Sequence, residues 1–287
     1  MQSPSTPASR LRLVAFFAAL LPLAATAAST THEEALSTAI AGEWRSADNR
    51  ARDAERHPAA SLNFWGLAPG MTILEIQPGG GAWWTEILAP YARMTGGEYY
   101  ATGPDLDDPE LSDRAREARK AFEDRFAAQP DIYGKVHVLN WGPKAKPLPA
   151  NKFDFILTAR SIHGWIMQGA AERNFAALYD ALKPGGILAV EQHRANPGPQ
   201  DPKAQSGYVT EQWVIDQAEH AGFELLGRSE INANPRDTKD HPFGVWTLKP
   251  MGRTSPYGQP DDPTFDRTKY DAIGESDRMT LKFVKPR

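Results

Sequence analysis

The 287-residue chain contains no cysteine. That excludes a disulfide framework, a lipid-modified N-terminal cysteine and a thiolate metal site, and an oxidising compartment would cost the chain nothing. A basic excess is also missing. With 32 Lys and Arg against 36 Asp and Glu, no strongly positive composition recommends a nucleic-acid partner. The apolar run at 13–23 is too short to span a bilayer. Arg10 and Arg12 precede it, Pro22 lies near its end and Ala25-Thr26-Ala27 follows. These are the three parts of a secretory signal, so residues 1–27 are expected to be removed and the mature chain to begin near Ala28 in the periplasm or outside the cell, with no stable membrane insertion. An uncleaved anchor is the other reading. Removal takes away two Arg and no acid, leaving 30 Lys and Arg against 36 acids, a net −6.

With 41% hydrophobic and 24% charged residues, the chain has material for one sizeable core and is marginal for two. No internal repeat is evident. Residues 28–60 are polar, with helical spacing of sparse apolar positions, and read as an N-terminal helical extension that ends at His57-Pro58. The domain proper is expected over 61–287. Short apolar runs at 71–76, 98–101, 135–139, 153–158, 186–191 and 223–231 alternate with helical periodicity at 83–92, 109–127, 170–182 and 210–221. That alternation is the pattern of βαβ units around a parallel sheet. Thr210 is placed to cap the last helix and Gly222 to end it. Residues 232–277 carry six prolines among polar residues and are expected as a long irregular excursion. Residues 278–285 then alternate with period two, as an antiparallel closing strand should, in preference to the proline-bounded run at 243–249.

The segment with most chemical content is Glu75-Ile76-Gln77-Pro78-Gly79-Gly80-Gly81. A strand runs into three glycines and out into a helix, so a ligand can approach backbone where no Cβ intrudes. A mobile glycine turn is the alternative. A dinucleotide fingerprint needs glycine where Trp84 stands, and no Gly-Lys-Ser or Gly-Lys-Thr follows to cradle phosphates. A ligand without a pyrophosphate remains.

This segment resembles the first motif of the class I S-adenosylmethionine-dependent methyltransferases, an acid followed by a glycine-rich turn. Residues 182–191, with Lys183-Pro184-Gly185-Gly186, resemble the later turn and fifth strand of that family, and 151–158 its fourth strand. The likeness covers roughly 61–231 and the last strand. The ending at 275–286 is similar to that of a set of exported bacterial methyltransferase-like proteins. The resemblance implies a Rossmann-like, doubly wound, seven-stranded and mostly parallel sheet with an antiparallel last strand. It implies S-adenosylmethionine as cofactor and a small-molecule methyl acceptor. Glu75, Gly79, Gly80 and Gly81 then border the cofactor's methionine end and ribose, with Gln77 where the family usually has its first glycine.

Asp105 is the candidate for holding the ribose hydroxyls, although it lies four residues beyond the expected end of the second strand. A carboxylate suits two hydroxyls through charge-assisted bonds. It could equally serve the turn at Gly103-Pro104. Asn140 and Trp141 match positions near the adenine, Trp141 being equally a core or lid residue. Methyl transfer is an in-line displacement that needs positioning first and a base only where the acceptor must lose a proton. His163 and His193 follow the fourth and fifth strands and are the candidate bases, the alternative being ordinary hydrogen-bonding histidines. A metal held by them with Glu191 is a weaker reading, because no dense His and acid spacing supports it. The expected activity is methyl transfer, and the rival is a non-catalytic exported binding module that keeps the fold.

Overall fold

The computed structural model describes residues 1 and 31–287, so the expected signal segment beyond Met1 lies outside the described residues. Seven strands form one sheet: β1 (Thr72–Ile76), β2 (Glu98–Pro104), β3 (Val136–Trp141), β4 (Phe153–Ala159), β5 (Leu182–His193), β6 (Glu224–Ser229) and β7 (Arg278–Val284). Their order is β3-β2-β1-β4-β5-β7-β6. Neighbours from β3 to β5 are parallel, and β7 runs antiparallel to both β5 and β6. From β1 the chain builds outward to β2 and β3, then crosses to the other side of β1 to form β4. That reversal opens a crevice at the carboxyl ends of β1 and β4, where open α/β sheets bind ligands.

Both faces of the sheet are covered, and the sequence of β1 shows why. Leu74 and Ile76 face one core with Phe175, Leu178, Val214 and Ile215. Ile73 faces the other with Leu62, Trp65, Trp84 and Ile87. A strand buried on both faces needs apolar residues throughout instead of alternation, and each such side chain contributes roughly 1.5–3 kcal/mol on burial. The helices supplying the first core are α9 (Ala171–Ala181) and α10 (Glu211–His220), with α8 (Ile162–Met167) beside them. The second core comes from α1 (His32–Ala41), α4 (Pro58–Trp65) and α5 (Thr85–Thr95), and Phe126 of α6 (Asp113–Ala127) joins it.

The helical extension reaches further than residue 60. After α2 (Ala47–Ala51) and α3 (Asp53–Arg56), His57 turns the chain at φ 43 and Pro58 opens α4 as its first residue. Proline is at home there, since that N–H has no helical partner in any case, so the break at 57–58 is a corner between helices. Pro90 inside α5 removes the N–H that would bond the Glu86 carbonyl. The indole of Trp44 donates to that carbonyl at 3.0 Å, fastening the extension to α5. Trp65 donates to the Leu281 carbonyl in β7 at 2.9 Å.

Other boundaries shift as well. β2 continues to Pro104 and β3 to Trp141, and α6 starts at Asp113 with Ser112 accepting from the Ala115 N–H. Short helices absent from the sequence reading appear at α7 (Pro130–Tyr133), α8 and α11 (Thr268–Ile273). Residues 244–247, part of the rival closing strand, form a 3-10 turn, while 278–284 closes the sheet. The excursion at 232–277 is fixed by polar contacts as well as aromatics. Buried Asp237 accepts from the Tyr208 hydroxyl at 2.9 Å and pairs with His241 Nε2 at 2.7 Å. Among the described residues, no helix is long and apolar enough to cross a membrane.

Candidate functional site

The turn after β1 is shaped by two residues with left-handed backbone, Gln77 (φ 51) and Gly79 (φ 69). The Gln77 N–H donates to Thr102 Oγ1 at 2.8 Å, and its side-chain oxygen accepts from Trp165 Nε1 at 2.9 Å. Gln77 thereby ties β1 to β2 and to α8, two elements that flank it. A Cβ built on Gly79, Gly80 or Gly81 would meet no atom within 4 Å. Protein packing therefore does not require these glycines, and the space above them is open. The Gly81 carbonyl accepts from Asn49 Nδ2 at 2.8 Å, so α2 braces the far end of the turn.

Beside the turn lies a cavity of about 450 Å³, bordered by Gly79, Gly80, Thr102, Asp105, Trp141 and Trp165 among others. That is a size common for small-molecule sites. It sits over the carboxyl ends of β1, β2 and β3, with α8 closing one side. Asp105 directly follows β2, because the strand runs three residues further than its apolar pattern shows. Asp105 takes part in a turn and also borders the cavity. Its Oδ1 accepts from the Asp107 N–H at 3.0 Å, as in a turn, and the residue lines the cavity.

The candidate residues divide. Gln77, Gly79, Gly80, Asp105 and Trp141 line the cavity, while Glu75, Gly81, Asn140, His163 and His193 are not among its lining residues. Asn140 is occupied in holding the loop after β2: its Oδ1 accepts from Arg119 at 3.0 Å and its amide donates to Asp107 at 3.3 Å. Glu75 points to the α5 side of the sheet, where Oε2 accepts from Tyr99 at 2.5 Å and Thr85 at 2.8 Å. Burial raises the Glu75 carboxyl to about 7, against the pull of these two donors. The cluster is a buried brace behind the glycine turn.

His163 and His193 lie together, ring centroids 5.7 Å apart, beyond β4 and at the end of β5. Burial lowers His163 to about 4, and lowers His193 well below the ordinary histidine value. Each has a partner: Gln192 Nε2 lies 3.2 Å from His163 Nδ1, and Ser276 Oγ lies 2.6 Å from His193 Nδ1. The Gln192 oxygen accepts from the Ile162 N–H at 3.2 Å, which orients the amide so that its nitrogen donates to His163. By this network assignment the His163 proton sits on Nε2. That nitrogen is a donor, not a free base. No group of three or more His, Asp or Glu among the described residues is arranged to hold a metal ion.

The sequence reading passed over Arg160, which ends the turn out of β4 with a left-handed backbone at φ 58. Its N–H donates to the Glu191 carbonyl at 2.7 Å. Around it, Arg278 pairs with Glu191 at 2.7 Å, and Glu275 takes Arg52 at 2.7 Å and Arg56 at 2.8 Å. Nothing in residues 50–56 or 275–278 marks them as neighbours along the chain. Only the helical corner at 57–58 and the return of β7 bring them together.

No family model matches the chain, and no curated protein matches it. Solved structures do. The 4+2 cyclase SpnF superposes with a TM-score of 0.54 at 18% identity, over 89% of this chain and 97% of that one. A proposed sarcosine dimethylglycine methyltransferase from Galdieria sulphuraria gives 0.53 at 14%, over 83% and 88%. A SAM dependent methyltransferase from Aquifex aeolicus gives 0.46 at 22%, over 63% and 87%. The chain has the Rossmann-like methyltransferase fold. A cyclase and a methyltransferase on one fold show that the chemistry is set by the site.

Proposed function

We propose that the protein is an S-adenosylmethionine-dependent methyltransferase acting on a small molecule. The observation that carries this reading is the glycine turn, whose three missing side chains leave open space beside a cavity at the sheet's carboxyl edge. The residues present fit the cofactor. Gly79 and Gly80 would let backbone approach it, Asp105 would accept from a pair of ribose hydroxyls, and Trp141 would stack on a flat base, a reading supported by the position of all four at the cavity. The bound cofactor would supply an electrophilic methyl group on a sulfonium centre. The chain's own task is to hold the acceptor in line with that methyl, a contribution of orientation and not of acid–base chemistry. His163 and His193, held neutral and hydrogen-bonded, serve to shape the wall of the crevice at β4 and β5.

The assigned His163 tautomer also favours the second reading, a non-catalytic binding module on the same fold, because it leaves no free base at Nε2. Calorimetry with S-adenosylmethionine and S-adenosylhomocysteine tests the cofactor site, and the expected result is saturable binding of both with one site per chain. Absence of both would remove the methyltransferase reading. Export is part of the proposal, supported by the charged, apolar and small-residue segments at 10–27.

A further inference from the structure

Arg160 stands at the reversal point of the sheet, directly after β4, the strand paired with β1. Among the described residues its side chain makes no hydrogen bond and no ion pair, and its Nε is buried without a partner. It is a half-buried guanidinium held in place by a left-handed backbone that an arginine adopts only under constraint. Nearby carboxyl groups are bonded to other residues, Glu75 to Tyr99 and Thr85. Glu191 Oε1 is taken by Arg278, and Glu275 is shared by Arg52, Arg56 and Arg278. The Glu55 carboxylate accepts from the Glu275 N–H at 2.9 Å. Glu191 Oε2 and nitrogens of Arg52 and Arg56 are also buried with no partner. Among these guanidinium groups, Arg160 is the one whose side chain has no hydrogen-bond or ion-pair partner. His163 and His193, titratable neighbours on the β4 and β5 sides, are neutral and add no further positive charge.

We propose that Arg160 anchors a carboxylate on the methyl acceptor, an inference that rests on the methyltransferase reading of the neighbouring cavity. A guanidinium offers a planar fork of N–H donors that matches a carboxylate with two parallel bonds. Arg160 directly follows β4, the strand paired with β1, and lies next to the cavity's edge and not among the residues that border it. A carboxylate bound there leaves the rest of a small acceptor extending toward the cavity. Burial without a protein partner disfavours the charged arginine, so an anionic ligand gains from relieving that cost, and a neutral analogue of the same shape does not.

The test uses succinate as probe, with its neutral diamide, succinamide, as control. Both are titrated by calorimetry at fixed ionic strength into the parent, Arg160→Gln and Arg160→Lys, with and without S-adenosylhomocysteine. The expected result is that the parent binds succinate and not succinamide. Arg160→Gln weakens succinate at least tenfold, Arg160→Lys falls between, and all three bind S-adenosylhomocysteine within twofold of one another. The proposal is overturned if the parent does not bind succinate, if it binds succinamide equally, or if Arg160→Gln binds succinate like the parent. Loss of S-adenosylhomocysteine with succinate retained would also overturn it, assigning Arg160 to the cofactor's own carboxylate. If Arg160→Gln loses its native circular dichroism, Arg160→Lys decides, and undiminished succinate affinity there overturns the proposal. If the parent binds no S-adenosylhomocysteine, the methyltransferase reading fails by itself, and the succinate arm without it still reports on Arg160 as an anion site.

Discussion

Gly80→Ala separates a ligand cradle from a plain turn better than any other change in the glycine run. Gly79 has φ 69, so alanine there adds left-handed strain of about 1 kcal/mol or more, which confuses binding with folding. Gly80 lies outside that region, and its Cβ would meet nothing within 4 Å. In the free protein the substitution should be neutral or stabilising by about 0.4–1 kcal/mol, through fewer conformations of the unfolded chain. With a ligand lying against the turn, the same methyl group intrudes into a filled space, a cost of typically 1–3 kcal/mol. At about 1.4 kcal/mol per tenfold, that is roughly a 5- to 140-fold rise in Kd. Calorimetry with S-adenosylhomocysteine reads the affinity, and thermal unfolding of the free protein reads stability. Gly222→Ala is the control: at φ 102, with its Cβ 2.9 Å from the Tyr179 ring, it should lose stability and keep affinity. If Gly80→Ala binds like the parent, the open space over the turn is not where the cofactor lies, and the central argument for the activity fails.

Asp105→Asn keeps an oxygen for the Asp107 N–H and removes only the charge. It should weaken S-adenosylmethionine by about 1.5–3 kcal/mol, the range for hydrogen bonds to a charged group, with the free protein's thermal midpoint held. Unchanged binding would leave Asp105 as a turn residue. For Glu75, the folded pKa is raised to about 7 from an unfolded 4.5, so between these values the native state holds the extra proton and stability falls as pH rises. Glu75→Gln keeps an acceptor for Tyr99 and Thr85 and removes this slope. Denaturant unfolding should show the parent losing up to about 3 kcal/mol relative to the variant from pH 4.5 to 7, and parallel curves would show that Glu75 ionises normally.

The sheet was legible because most parallel strands announce themselves twice, by an apolar run and by the helix that follows. β1 and β4 carry apolar residues on both faces, and the amphipathic stretches between strands have the right period. Strand ends were not legible where the chain turns polar while still paired. Gly103 and Pro104 pair with Asn140 and Trp141, yet neither Gly nor Pro favours a strand. The late position of Asp105 was a consequence of that. Side-chain direction was the other limit. Glu75 sits at the position of the family's acid, but strand alternation sends it away from the cavity, toward Tyr99 and Thr85.

The polar half of the crevice was illegible for a different reason, which bears on how the chain is organised. Arg52, Arg56, Glu191, Glu275 and Arg278 are drawn from three distant stretches of sequence, and each taken singly is an ordinary surface charge. Buried charges are tolerated only when paired, and removing one partner of a buried pair costs several kcal/mol. Glu275 alone takes three arginines, two from the helical extension and one from β7. The extension is therefore held to the sheet by the same charges that surround Arg160. Asn49 of α2 adds contacts to the Gly81 carbonyl and to Glu86. Composition sets residues 28–60 apart as polar and helical, but from residue 31 onward they are fastened to α5 and, through Glu275, to the end of the sheet. The charge that distinguishes them in the sequence is what ties them to the site.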